Sequence, residues 1–186
     1  MPVTQLDTRT ALVVVDLQKG IISNPMAHPV EGVLKNAGEL ATAFRRHGLP
    51  VVLVTVTGAP PGRVEEKRPL KREAGWDELV PELDPQPDDH RVIKQSWGAF
   101  SGTELKGWLE SQDVTQIVLA GVSTSIGVES TARQAYEQGF NVTAATDAMT
   151  DTKGEAHSNS LTCIFPRLGE TGTTAEIIRL LSQDRA

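Results

Sequence analysis

Three short segments of this 186-residue chain carry side chains that could do chemistry, and each follows a stretch that reads as a strand. Residues 11–15 end in Asp16, followed by Leu17 and Gln18. Residues 91–93 end in Lys94, inside the stretch Lys94-Gln95-Ser96-Trp97-Gly98-Ala99-Phe100. Residues 117–120 run into a turn of small residues at 121–133, Gly-Val-Ser-Thr-Ser-Ile-Gly-Val-Glu-Ser-Thr-Ala-Arg. In folds that alternate strands and helices, residues leaving the carboxyl ends of the strands face the ligand crevice. An aspartate and a lysine at neighbouring strand ends can pair at the floor of such a cleft. Each then shifts the other's proton affinity, which is how general acids and bases are tuned. Gln18, Trp97, Phe100, Ser123 and Thr124 flank these groups and are candidate substrate contacts, with Trp97 and Phe100 equally readable as core. Ser123 and Ser125 read as helix caps, because no histidine stands near them in sequence to activate a hydroxyl.

These groups need a frame. The continuous apolar run at 11–15 suits a parallel strand covered on both faces. Val33, Leu34, Ala37, Leu40, Ala41 and Phe44 recur at three and four, an amphipathic helix over 30–47. Gly48 suits its left-handed end, and residues 51–56 form the second strand. Strands at 91–93, 115–120 and 140–145 follow, with helices at 103–110, 125–138, 154–165 and 174–181, the last capped by Thr173 or Thr174. The alternation predicts one α/β domain over 1–186 in three layers, α/β/α, around a doubly wound, Rossmann-like parallel sheet of about five to six strands. Residues 57–90 interrupt it. Rich in proline and charge, they form a long excursion of the kind that serves as a lid or an oligomer contact, with Trp76, Leu79, Val80 and Leu83 marking a short packed helix.

Composition excludes several classes. Net charge is -6 and no basic run occurs, so nucleic acid is not an expected partner. No apolar run approaches a membrane span, and the first residues lack the charged and apolar regions of a secretory signal. The single cysteine, Cys163, rules out an internal disulfide framework and fits a reducing, cytoplasmic setting; it reads as a buried thiol. His28, His47, His90 and His157 are scattered, with no pair at metal-ligand spacing.

Val-Val-Asp-Leu-Gln at 14–18, Lys94 with Trp97-Gly98-Ala99-Phe100, and the turn from Gly121 through Tyr136 together resemble the isochorismatase-like hydrolase superfamily, over about residues 9–182. Asn141-Val142-Thr143, Thr146-Asp147-Ala148 and Glu155-Ala156-His157 match the later strand and helix start of that family. The resemblance implies a hydrolase of a small molecule, with Asp16 as general acid/base and Lys94 assisting it. It also implies a cis peptide at Val122–Ser123, with the backbone N–H groups of Ser123 and Gly127 as oxyanion donors. Gly127 stands where the cysteine hydrolases of the superfamily place their nucleophile, so no acyl-enzyme can form there. Isochorismatases proper depart in a similar way, cleaving a vinyl ether by protonation and an activated water. Only Arg63, Arg68 and Arg72 offer a clamp for a dicarboxylate. Thr57-Gly58-Ala59-Pro60-Pro61 contains no metal ligand, so neither metal nor cofactor is expected. A homo-oligomer, dimer or larger, is expected by resemblance. Two other functions stay open: a non-catalytic binding or assembly protein on the same scaffold, and an amidohydrolase using Ser125.

Overall fold

The computed structural model describes residues 2–65 and 73–183. Strand β1 (Thr10–Val15) is buried along its whole length. Helix α1 (Lys19–Ile22) and helix α2 (Val30–Arg46) follow, then strands β2 (Val51–Val56) and β3 (His90–Lys94). Helix α3 (Leu105–Ser111) leads to strand β4 (Gln116–Val122) and helix α4 (Glu129–Glu137). Strand β5 (Asn141–Thr150), helices α5 (Gly154–Asn159) and α6 (Phe165–Leu168), strand β6 (Glu170–Gly172) and helix α7 (Thr174–Gln183) complete the order.

Among the described residues the strands form one six-stranded sheet in the order β3-β2-β1-β4-β5-β6, every pairing parallel. The order reverses between β1 and β4, which is where a doubly wound sheet opens its ligand crevice. Period-two alternation sends Leu12 and Val14 to one face, against Leu40 and Phe44 of α2 and Ile177 of α7. It sends Val13 and Val15 to the other, against Leu105 and Leu109 of α3 and Ala132 of α4. Three layers result, as the sequence predicted. No helix of the described residues is long and apolar enough to cross a membrane.

Several local features differ from the sequence reading, each for a physical reason. Strand β6 has three residues and only an edge position, too short to show a period. The helix expected over 154–165 breaks into α5, a π-type turn at Ser160–Ile164 and α6, where Pro166 sits in the first turn and cannot donate back. That turn carries Cys163 outward, so the thiol is exposed and not buried. The short helix of the excursion is a single 3₁₀ turn, Pro81–Leu83, which buries Leu83 against α2. At α7, Thr173 is the cap: its hydroxyl accepts from Glu176 N–H at 3.3 Å while the Glu176 carboxylate accepts from Thr173 N–H at 2.7 Å, a reciprocal capping box.

Candidate active site

Asp16 leaves β1 with φ at 52°, a left-handed turn that non-glycine residues rarely adopt and that clusters at functional sites. Its carboxyl meets Lys94 Nζ at 2.7 Å, with the two side chains 8% and 1% exposed. The pair joins strand ends that are not neighbours, since β2 lies between β1 and β3. Lys94 reaches it because alternation on β3 turns Val92 and Lys94 inward and leaves Ile93 outside. The ammonium also donates to the Ser96 carbonyl at 3.0 Å, a partner that no side-chain pattern reveals. Burial pushes the Asp16 carboxyl up to about 6, although the Lys94 ammonium pulls the other way. Asp16 Oδ1 is buried and has no hydrogen-bond partner among the described residues. A buried oxygen of that kind is either a cost or a hand held out to a ligand.

The turn after β4 lies opposite. Gly121 has φ at 126°, and a β-carbon there would stand 2.0 Å from the Val15 carbonyl oxygen, so only glycine lets β4 approach β1 this closely. The Val122–Ser123 peptide is cis. Residues Thr124–Val128 then form one π-type turn, closed by Val128 N–H to the Ser123 carbonyl at 3.2 Å, before α4 begins. Gly127 faces the acid: a β-carbon added to it would lie 3.1 Å from Asp16 Oδ2 and 3.0 Å from Val15 Cγ1. Asp16, Lys94 and Gly127, distant in sequence, are thus brought to one point.

The flanking residues divide. Ser123 is half-buried at the start of the turn. Thr124 is fully buried, its hydroxyl 2.9 Å from His157 Nδ1. Gln18 is spent on the fold: Oε1 accepts from Val56 N–H at 2.8 Å and Nε2 donates to the Val56 carbonyl at 3.1 Å, so its amide extends β2 like one more residue of strand. Phe100 packs in the core beside Phe140, ring centroids 5.9 Å apart. Trp97 is 62% exposed. Ser125 donates its hydroxyl to Asp151 at 2.8 Å. Arg63 is exposed, and Arg68 and Arg72 lie outside the described residues. Among the described residues no three His, Cys, Asp or Glu side chains gather as metal ligands.

Sequence reasoning missed most of the supports. Thr131 donates to the Gly127 carbonyl at 2.7 Å and accepts from Ala99 N–H at 3.1 Å, tying the turn to the Lys94 loop. Asp151 and His157 hold it from the other side. The His28 and His157 rings meet in a tilted contact, centroids 4.6 Å apart and planes at 58°. Of these only His157 was singled out beforehand, as matching the family's later helix start.

A family model described as the isochorismatase domain matches residues 10–176. The chain is similar to the uncharacterized isochorismatase family protein YecD of Escherichia coli O157:H7, with 40% identity over 92% of this chain and 96% of that protein. It is also similar to the uncharacterized isochorismatase family protein YwoC of Bacillus subtilis (strain 168), with 39% identity over 91% of this chain and 93% of that one. Among solved structures, an isochorismatase family protein from Burkholderia thailandensis superposes with a TM-score of 0.92 at 38% identity, covering 96% of this chain and 98% of that one.

Proposed function

The chain belongs to the isochorismatase family of hydrolases, and on that premise we propose that it hydrolyses a small-molecule carbonyl or enol-ether substrate without a covalent intermediate and without a metal. The observation that carries this reading is the buried Asp16–Lys94 pair, 2.7 Å apart, with the orphaned Asp16 Oδ1 beside a Gly127 that has no side chain. A carboxylic acid that keeps its proton to about pH 6 is suited to general acid work. On an enol ether, Asp16 gives its proton to the vinyl carbon, and a water adds to the resulting oxocarbenium carbon while returning a proton to the Asp16 carboxylate. Collapse of the hemiketal then releases an alcohol and a ketone. Lys94 stabilises the aspartate left behind; on a carbonyl substrate, the N–H groups of Ser123 and Gly127 hold the oxygen that gains negative charge as water adds.

The test is a turnover screen against isochorismate, nicotinamide and simple amides, with Asp16→Asn as control. Asp16→Asn is expected to fold and to lose turnover; an active variant rules the assignment out. Cys163 is exposed, so a thiol reagent will reach it, and activity is expected to survive the modification. The reading extends to a single domain over the whole chain, a cytoplasmic setting and a homo-oligomer, supported by one unpaired thiol and by outward-facing Ile93 and Trp97 near the site. Light scattering decides the last point, a monomer mass counting against it.

A non-catalytic binding protein is the competing reading, favoured by the missing side chain at Gly127. Gly127→Cys discriminates: amidase activity in that variant means the remaining machinery is competent, and silence across the screen in both proteins favours binding.

A further inference from the structure

The turn between Val122 and Glu129 is held by more than its own backbone. Asp151, the residue after β5, is 1% exposed, and its Oδ2 accepts from both the N–H and the hydroxyl of Ser125, each at 2.8 Å. Its Oδ1 accepts from Lys153 N–H at 3.2 Å, and the Thr152 hydroxyl lies 3.5 Å away. The carboxylate is therefore fixed at its own end by the entry to α5. It reaches across to the middle of a turn that belongs to the neighbouring strand, since β4 and β5 pair up to Val122 and Thr150. Charge-assisted hydrogen bonds of this kind are short and about twice as strong as neutral ones. A rigid sheet end thus grips the turn two residues before Gly127.

We propose that Asp151 is a positioning residue for this turn, locking Ser125 so that the backbone donors at Ser123 and Gly127 stay aimed at the reacting oxygen. The proposal rests on the reading of those two N–H groups as donors to the reacting oxygen. Oxyanion donors act only where they are preorganised, and misplacement by about 1 Å costs on the order of a hundredfold in rate. A π-type turn that leads into a helix has an easy alternative, which is to rewind into regular α-helix. Ser125 stands in the first turn, where its N–H has no intrahelical partner, and the bond to Asp151 supplies a partner and ties the turn to the end of β5.

The test compares kcat and KM for the full-length wild type, Ser125→Ala, Asp151→Asn, Asp151→Ala and Asp16→Asn, on whichever substrate the screen turns over. Amide hydrogen exchange across residues 123–128 is followed in the same proteins. Ser125→Ala keeps the backbone bond and is expected to lose only severalfold. Asp151→Asn keeps an oxygen acceptor and is expected to be intermediate, while Asp151→Ala loses about a hundredfold in kcat with KM little changed. Exchange at 123–128 is expected to quicken in the same order. A purely structural Asp151 would lower the unfolding temperature and leave kcat and local exchange of the folded protein as in the wild type; that result overturns the proposal. If Asp151→Ala does not fold, Asp151→Asn decides, and wild-type kcat and exchange in it overturn the proposal equally. Turnover by Asp16→Asn instead refutes Asp16 as the general acid, and the exchange series then still decides whether Asp151 holds the turn.

Discussion

A carboxylic acid inside a protein is useful as an acid only where it still holds its proton. Burial raises Asp16 from an ordinary 3.8 to about 6, and the direction matters more than the amount. If Asp16 donates the proton, kcat/KM is expected to be flat below about pH 6 and to fall about tenfold per pH unit above it. A profile that rises through the same range would make Asp16 a base and sink the assignment. Gly127 supports the same view from the other side of the cleft. A β-carbon there presses on both Val15 and Asp16, at 3.0 and 3.1 Å, and the carboxylate cannot recede without loosening its bond to Lys94. Gly127→Ala is therefore expected to lower kcat by at least about tenfold while leaving the fold intact, read by steady-state kinetics beside circular dichroism. Wild-type kcat in that variant would mean the gap at residue 127 is incidental.

The elements hold these groups by bonds that a sequence does not advertise. Thr131, fully buried in α4, donates to the Gly127 carbonyl and accepts from Ala99 N–H. Thr131→Val keeps the shape and removes both bonds, leaving a buried N–H unpaired, so a loss of about 1–3 kcal/mol is expected in urea unfolding with the slope unchanged. No shift in midpoint would show that the strut carries nothing. What was legible beforehand follows the same division. Asp16, Lys94 and the glycine turn stood out because strand ends in an alternating pattern can be located from hydrophobic runs alone. That Lys94 bridges over β2 was not legible, since strand order is a matter of crossovers and not of local pattern. Gln18 read as a substrate contact because a polar residue beside a catalytic candidate attracts that role. Its real partner, the Val56 backbone, has no side-chain signature. The pairings of Thr124 with His157 and of Ser125 with Asp151 escaped for a related reason: they join residues 33 and 26 positions apart.

Across the whole chain, the acid that serves the site is a burden on the fold. Its protonated form is the one the interior prefers, so the folded state holds a proton that the unfolded chain gives up near 3.8. Between that value and about 6 the native state binds more protons than the unfolded state, and stability falls as pH rises. The stabilising contribution is present below the unfolded value and is lost as pH climbs through the folded one. Other groups titrate too, so the wild type alone cannot isolate the effect. Asn is a permanent mimic of the neutral acid, and the difference between wild type and Asp16→Asn removes the common background. That difference is expected to move in favour of the variant as pH rises from 4 to 7, measured as unfolding free energy in urea at each pH. It should then level off above about pH 7, where Asp16 is ionised in both states. A difference independent of pH would show that the Lys94 ammonium cancels the effect of burial, and one that moves toward the wild type that it outweighs it. Asp16 would then be an ionised partner in a salt bridge and poorly placed to give up a proton.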